Sequence, residues 1–124
     1  MNTQNDINTI TEQVIGCAYR ISNILGIGFL EKVYENALCV ELRQSNISFI
    51  QQHPVKVYYQ KTCVGCYVAD LLVAGQVIVE LKAVKSLNSS HFAQCMNYLK
   101  STDLKVCLLI NFGTPKIEIR RIVN

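Results

Sequence analysis

One short stretch predicts the architecture of this chain: Asp70-Leu71-Leu72-Val73-Ala74-Gly75-Gln76-Val77-Ile78-Val79-Glu80-Leu81-Lys82. It has the pattern of two short apolar strands that fold back on each other at Ala74-Gly75. In such an antiparallel hairpin Asp70 falls opposite Glu80 or one residue away, where facing Cβ atoms lie about 4.5–5.5 Å apart. Glu80 and Lys82 share a face, because side chains alternate along a strand.

Two carboxylates that face each other on an apolar hairpin repel unless a cation lies between them. Asp70 and Glu80 offer the oxygen ligands that Mg²⁺ and Mn²⁺ prefer. Lys82 would face the same cavity, where a lysine can orient or deprotonate an attacking water and offset charge that grows on a phosphoryl group. The hairpin is therefore a candidate divalent-metal site. The structural alternative is an exposed Glu80–Lys82 ion pair beside a solvated Asp70.

Length and composition favour a single domain over residues 1–124. Of the 124 residues 50% are hydrophobic and 17% charged, which excludes a disordered or fibrous class. The first residues have no basic and apolar leader, and no uncharged apolar run reaches the roughly 18 residues of a membrane span. We therefore expect a cytoplasmic protein without a membrane partner.

The six cysteines lie scattered in apolar segments of a chain without a signal peptide, so we expect reduced, buried thiols. Cys63-Val64-Gly65-Cys66 has the spacing of half a zinc knuckle, but no second pair lies nearby. A thiol or zinc protein that uses Cys63 and Cys66 is therefore a remote alternative. The full set is Cys17, Cys39, Cys63, Cys66, Cys95 and Cys107.

The charge is uneven along the chain. The net charge is +3, and residues 80–124 carry seven Lys and Arg against three Asp and Glu, whereas residues 1–79 carry five against six. A basic C-terminal part is compatible with a nucleic-acid backbone as partner, although such residues most often form a solvated surface.

Hydrophobic spacing predicts two helices before the first strand. Apolar residues recur every three or four positions from Asp6 to Leu25 and again from Leu30 to Gln44. Asn5 or Asp6 can cap the first helix, and Gly26 can end it. The predicted buried positions are Ile7, Ile10, Val14, Cys17, Ala18, Ile21, Ile24 and Leu25, then Leu30, Val33, Ala37, Leu38 and Leu42.

The rest of the chain has mainly the pattern of strands, rich in Val, Ile, Tyr and Phe with turn residues between them. Ser89-Ser90 can cap one further helix, from His91 to Lys100. The order of elements predicts an α/β (α+β) fold with a mixed sheet flanked by helices. The predicted strands are Phe49–Gln52, Val55–Gln60, Cys63–Val73, Val77–Val84, Val106–Ile110 and Ile117–Ile122.

The later helix presents polar residues on one face. His91, Gln94 and Tyr98 are three and four residues apart and therefore lie along one stripe, from which Gln94 could reach the carboxylates. Taken singly, Gln94 is more often an exposed helix residue and Tyr98 a residue at the edge of the core.

The start of the second helix offers further carboxylates. Glu31, Tyr34 and Glu35 share a face there, so another acid could point towards the site. The helix dipole also favours an acid in the first turn, which makes a structural role the commoner explanation for Glu31.

Together these residues resemble the GxxExxY family of small proteins, within the PD-(D/E)XK nuclease superfamily. Gly28, Glu31 and Tyr34 match the motif that names the family. A lone D…ExK pattern is common by chance, but its combination with this upstream motif and a downstream glutamine and tyrosine is specific. The similar stretches cover nearly the whole chain: Tyr58–Lys61, Tyr67–Val73, Val79–Val84, His91–Gln94, Asn97–Lys100 and Leu108–Gly113.

The resemblance implies a restriction-endonuclease-like core, with Asp70 on one central strand and Glu80 and Lys82 on the next. It implies that Asp70 and Glu80 bind Mg²⁺ or Mn²⁺ and that Lys82 is the catalytic lysine.

The resemblance also implies further members of the site. Gln94 would support it from a helix, and Glu31 would be an accessory acid, with Glu35 one turn later as the alternative. Tyr98 matches the tyrosine that follows the glutamine in related exonuclease-type members. The predicted catalytic residues are thus Asp70, Glu80, Lys82, Gln94 and Glu31, and the candidate supporting residues are Tyr34, Glu35, His91 and Tyr98.

The leading hypothesis from the sequence is a Mg²⁺-dependent nuclease that hydrolyses phosphodiester bonds of DNA, with RNA as the less favoured substrate. The alternative is a catalytically silent module of the same fold that binds nucleic acid or a partner protein. The chain shows no helix-turn-helix, zinc finger or long basic arm to select a substrate, so a homodimer or partner protein could complete the groove.

Overall fold

The computed structural model describes residues 6–124, which form three helices and one five-stranded sheet. The strands lie in the order β1-β2-β3-β4-β5, and β3 and β4 are parallel while the other neighbours are antiparallel. This confirms the predicted mixed sheet. The elements are α1 (Ile7–Leu25), α2 (Glu31–Gln44), β1 (Phe49–Tyr59), β2 (Thr62–Val73), β3 (Val77–Lys82), α3 (Ser89–Thr102), β4 (Val106–Asn111) and β5 (Glu118–Val123).

Helices cover both faces of the sheet. Helices α1 and α2 pack on one face and α3 packs on the other, and each face has its own cluster of buried apolar residues. Strand β3 alternates between the two, with Val79 in the α1/α2 cluster and Ile78 in the α3 cluster. Because side chains alternate along a strand, Glu80 and Lys82 continue the side of Ile78 and face α3.

The helix ends follow their capping residues. Asp6 caps α1 by accepting a hydrogen bond from the Asn8 amide at 2.9 Å, while Asn5 lies outside the described residues. The predicted cap of α3 at Ser89-Ser90 is wrong. Asn88 is the cap, because its Oδ1 accepts from the Ser90 and His91 amides and leaves both serines inside the helix.

Three predicted core positions prove to be exposed. Ile24, Leu30 and Val33 are 77%, 81% and 39% exposed. Ile24 lies in the last turn of α1 and Leu30 precedes the first turn of α2 as its N-cap. Periodicity identifies the apolar face of a helix, but the length of the neighbouring sheet determines how much of that face is covered.

The turn at Ala74-Gly75 is confirmed. Both residues have positive φ, 53° and 66°, and the Gln76 amide donates to the Val73 carbonyl at 3.0 Å. Positive φ at both central residues matches the twist of a tight hairpin, and glycine adopts it without a steric penalty.

Strand β1 is longer than predicted. It runs through Pro54, where the sequence predicted a gap between two strands. Since β1 is an edge strand with β2 as its single neighbour, one side of its backbone needs no ladder hydrogen bond and a proline is tolerated.

The far part of the β1–β2 hairpin, residues 54–68, is called the outer hairpin. Among residues 6–124 no third strand pairs with it. Cys63 and Cys66 lie there and are exposed, so the prediction of buried thiols is wrong for these two. Most residues of the outer hairpin are exposed, since β1 and β2 have only each other as neighbours among the described strands of this segment. The remaining four cysteines, Cys17, Cys39, Cys95 and Cys107, are buried as predicted.

Candidate active site

The two carboxylates meet where β2 and β3 stop pairing. The ladder between these strands ends at Leu71 and Val79. One residue further, the Asp70 amide donates to Glu80 Oε2 at 2.7 Å, and the Leu81 amide donates to Asp70 Oδ2 at 2.8 Å. Each carboxylate therefore accepts a backbone N–H of the opposite strand. These reciprocal bonds hold both side chains in the gap between the strands and confirm the predicted pairing of Asp70 with Glu80.

Burial makes this pair costly to ionise. Desolvation is the main cause that raises the pKa of Glu80 from 4.5 to about 8, and the negative charge of Asp70 adds to it. The pKa of Asp70 is also raised, again chiefly by burial, while its hydrogen bond from the Leu81 amide acts in the opposite direction. A buried and a half-buried carboxylate with raised pKa values form a site that a cation would stabilise.

Lys82 lies beside the pair and contacts α3. Its Nζ donates to Gln94 Oε1 at 3.2 Å. The positive charge of Lys82 lowers the pKa values of both Asp70 and Glu80, but this effect is smaller than that of burial. The structure thus brings four of the sequence-predicted residues together, and Gln94 fixes the lysine that the strand supplies.

A cavity of about 530 Å³ opens on the α2 side of Asp70. Glu31 and Glu35 both line it, but they differ in what they bind. Glu35 is buried and accepts hydrogen bonds from Lys32 Nζ, at 3.1 and 3.0 Å to its two oxygens. Glu31 is exposed and accepts no hydrogen bond from any side chain or amide of residues 6–124. Of the two acids, Glu31 is therefore the one available to a ligand.

Glu35 instead anchors a distorted part of β1. Its Oε2 also accepts from Gln51 Nε2 at 2.6 Å and from Gln52 Nε2 at 2.9 Å. Gln52 has a positive φ of 59° and makes no ladder pair, although it lies opposite Asp70. Such a conformation is strained for a residue with a side chain, so the contacts to Glu35 must hold it. The distortion leaves Asp70 without a ladder partner on β1.

Two of the candidate supporting residues lie away from the carboxylates. Tyr34 is fully buried, stacks on Phe112 at 4.5 Å between ring centroids, and donates its hydroxyl proton to the Gly26 carbonyl at 2.6 Å. It thereby holds the loop before α2. His91 completes the cap of α3, where its Nδ1 accepts from the Asn88 amide at 3.1 Å.

Tyr98 lies closer to the site. It is 4% exposed, and burial, assisted by the charges of Glu80 and Asp70, raises its pKa to about 12. Its hydroxyl donates to the Val68 carbonyl at 3.4 Å. Tyr98 therefore joins α3 to β2 as a neutral side chain near the carboxylates.

Sequence reasoning missed the residues that fix the end of β3. Asn111 is fully buried, accepts from the Val84 amide at 3.0 Å and donates to the Val84 carbonyl at 3.0 Å. Gly113 packs so closely that an added Cβ would lie 2.2 Å from the Val84 carbonyl oxygen. A polar residue at the end of the apolar strand β4 was the available signal for Asn111, and nothing in the sequence signalled Gln52.

The donor set is compatible with a hard divalent cation. Asp70 Oδ1 and Glu80 Oε1 accept no hydrogen bond from residues 6–124, because the amides occupy the other oxygen of each group. No group of three or more His, Cys, Asp and Glu within the described residues could alone enclose an ion. Mg²⁺ commonly binds one or two carboxylates and keeps several waters, whereas Zn²⁺ usually takes three or four protein ligands. Two free carboxylate oxygens therefore suit Mg²⁺ better than they suit Zn²⁺.

Comparison with known families identifies the class. The family model described as the PD-(D/E)XK nuclease superfamily matches residues 8–122, and the chain belongs to this superfamily. No curated protein matches the chain. Within the part that the structure describes, no helix is long and apolar enough to cross a membrane.

Solved structures show the same fold. The chain is similar to an alkaline exonuclease from Laribacter hongkongensis, with 11% identity, a TM-score of 0.56, and coverage of 94% of this chain and 68% of that one. It is also similar to the protein SSO0001, with 18% identity, a TM-score of 0.55, and coverage of 94% and 59% respectively. The restriction-endonuclease-like fold implied by the sequence is thus confirmed.

Proposed function

We propose that this protein is a Mg²⁺-dependent nuclease that hydrolyses phosphodiester bonds of DNA. The observation that carries the proposal is the reciprocal hydrogen bonding of Asp70 and Glu80, which presents one free oxygen of each carboxylate next to Lys82. The nuclease superfamily of the chain and the exonuclease among its structural relatives support it. PD-(D/E)XK nucleases generally use divalent metal ions, which fits this donor set.

In this proposal Asp70 and Glu80 hold the ion, and Glu31 faces the same cavity as Asp70. When bound, the ion supplies Lewis-acid stabilisation of charge on the phosphate and lowers the pKa of a coordinated water. Lys82 orients the attacking water and offsets charge on the phosphoryl oxygens. Gln94 positions Lys82 through the 3.2 Å hydrogen bond to its Nζ.

Cleavage assays with matched lysine variants test the proposal. Labelled single- and double-stranded DNA and RNA are incubated with the purified protein and Mg²⁺ or Mn²⁺. Lys82→Ala should lower the cleavage rate at least about a hundredfold, the loss that follows removal of one electrostatic group from an active site. Lys85→Ala is the control, because Lys85 is exposed three residues beyond Lys82 and outside β3.

The substrates and the metal separate the outcomes. Faster cleavage of RNA than of DNA would overturn the choice of substrate and leave the chemistry intact. Full cleavage by Lys82→Ala would contradict the assignment of this lysine. The silent binding module would become the preferred function if the wild-type protein cleaved none of the substrates and if Asp70→Ala left Mn²⁺ binding unchanged.

A further inference from the structure

A second cavity, of about 790 Å³, lies on the opposite side of the site from Glu31. It forms a groove between α3 and the outer hairpin, and this groove is called the tyrosine groove below. The side chains that matter for its chemistry are Tyr58 and Tyr67 on the hairpin and Gln94, Asn97, Tyr98 and Lys100 on α3.

The groove exposes aromatic rings that do not serve the core. Tyr58 and Tyr67 are 60% and 57% exposed, and neither belongs to a buried cluster. The ring centroid of Tyr67 lies 6.4 Å from that of the buried Tyr98, so the Tyr98 ring supports the exposed Tyr67 ring. Exposed aromatic faces on a fixed support are the surface on which unpaired bases stack.

Both walls of the groove lack negative charge. The sequence from Phe49 to Ala69 contains no Asp or Glu, and the helix from Ser89 to Thr102 contains none either. The same segments contain Lys56, Lys61 and Lys100, of which Lys100 lines the groove itself. Phosphate groups in the groove would therefore meet the positive charge of Lys100 and no carboxylate from either wall.

The groove is continuous with the site. Gln94 lines it and also accepts the hydrogen bond from Lys82 Nζ. A strand that lies in the groove thus approaches Lys82 along α3. Asn97 adds a donor and an acceptor that can bind base edges without selecting one base.

We propose that the tyrosine groove binds the unpaired nucleotides of single-stranded nucleic acid and leads them to the carboxylates. Bases stack on Tyr58 and Tyr67, and the backbone phosphates lie against Lys100. A duplex is excluded from this contact because its base faces are already stacked on one another. The inference rests on the proposed function, since it assumes that the substrate is a nucleic acid.

Fluorescence anisotropy in EDTA tests binding without cleavage. The probe is a fluorescein-labelled oligothymidylate, compared with a duplex of equal length. Replacement of both hairpin tyrosines, Tyr58→Ala with Tyr67→Ala, should weaken binding of the single strand about tenfold or more, as loss of base stacking does. Tyr19→Ala is the matched control, because Tyr19 is a 42% exposed tyrosine on α1.

Conservative variants separate stacking from folding. Tyr58→Phe with Tyr67→Phe keeps both rings and should bind as the wild type does. If the double alanine variant fails to fold, the single variant Tyr58→Ala tests the groove. The Tyr58 side chain is 60% exposed and makes no hydrogen bond within residues 6–124, so its removal should leave the fold intact.

The salt dependence tests the phosphate contact. Lys100→Ala should reduce the slope of log K against log salt concentration by about 0.7, the value for one phosphate contact on a single strand. Lys105→Ala should leave the slope unchanged, since Lys105 is exposed and does not line the groove.

The results distinguish this inference from the proposed function. Tyrosine-dependent binding by a protein that never cleaves would support the groove and contradict the nuclease. Metal-dependent cleavage by the wild type, with single-strand binding unaltered in the double alanine variant, would support the nuclease and contradict the groove. Tighter binding of the duplex than of the single strand would also overturn the groove.

Discussion

The two ends of β2 differ in their neighbours and therefore in their chemistry. The inner end, Leu71–Val73, lies between β1 and β3, and Leu71 and Val73 are fully buried. The outer end, Thr62–Val68, has β1 alone beside it and is largely exposed. Asp70 lies at the border of the two. A strand that loses one neighbour leaves backbone groups unpaired, and here the carboxylates of the site satisfy them.

The same contrast separates two roles. Close packing fixes the inner end beside Asp70, and the reciprocal hydrogen bonds of Asp70 and Glu80 orient the two carboxylates. The outer hairpin instead offers the exposed rings of Tyr58 and Tyr67 and two exposed lysines, Lys56 and Lys61.

Two glycines provide the largest expected difference. Gly113→Ala should lower the free energy of unfolding by about 3 kcal/mol, because its Cβ would meet the Val84 backbone at 2.2 Å and neither segment can move freely. Gly65→Ala in the outer hairpin should change stability by less than about 1 kcal/mol, since its Cβ would meet only a Tyr67 ring atom at 3.9 Å. Urea denaturation of the three proteins measures both effects.

The activity of the glycine variants extends this comparison. Gly113→Ala displaces the segment directly after Lys82, so the folded variant should cleave more slowly than Gly65→Ala. Equal stability of the two variants would show that residues 83 and 84 yield easily and that the end of β3 is not rigid.

Two valines of β2 provide the next difference. Val73→Ala should cost about 2 kcal/mol, because Val73 is fully buried and the loss of its methyl groups leaves a cavity. Val64→Ala should cost less than about 0.5 kcal/mol, because Val64 is 61% exposed. Thermal and urea unfolding give both values, and a similar cost at the two positions would mean that the outer hairpin is covered in solution.

The sequence predicted what depends on local pattern. Strand alternation and the turn at Ala74-Gly75 were sufficient to pair Asp70 with Glu80 and to place Lys82 on the face of Glu80. Helical spacing indicated that Gln94 could reach the carboxylates, and in the structure Gln94 contacts their neighbour Lys82. These features depend on residues that are close in sequence or on a single hairpin.

What the sequence did not predict depends on contacts between distant segments. The left-handed Gln52 is held by Glu35 from α2, and the end of β3 is held by Asn111 from β4. Leu30 is exposed at the N-cap of α2 and Cys63 is exposed on the outer hairpin, and helical or strand periodicity encodes neither outcome. Whether Glu31 acts in catalysis stays a prediction, although the structure leaves its carboxylate free for a ligand.

The last expected difference is the pH dependence of stability, which depends on the buried Glu80 beside Asp70. Burial and Asp70 raise the pKa of Glu80 to about 8, so the folded state holds a proton that the unfolded state has already released. The contribution of Glu80 to stability is therefore greatest below the unfolded value of 4.5 and is lost as the pH rises to about 8. In EDTA the Tm should therefore fall between about pH 5 and about pH 9.

A pair of isosteric variants isolates this effect from other titrations. Glu80→Gln carries no ionisable group, so its Tm should fall less over the same range than that of the wild type. Glu12→Gln, an exposed position on α1, should follow the wild type. Mn²⁺ should raise the Tm more at high pH than at low pH, because the carboxylates must be ionised to bind it. A Glu80→Gln profile parallel to that of the wild type would show that Glu80 is solvated in the folded protein and that the two strands do not enclose the pair.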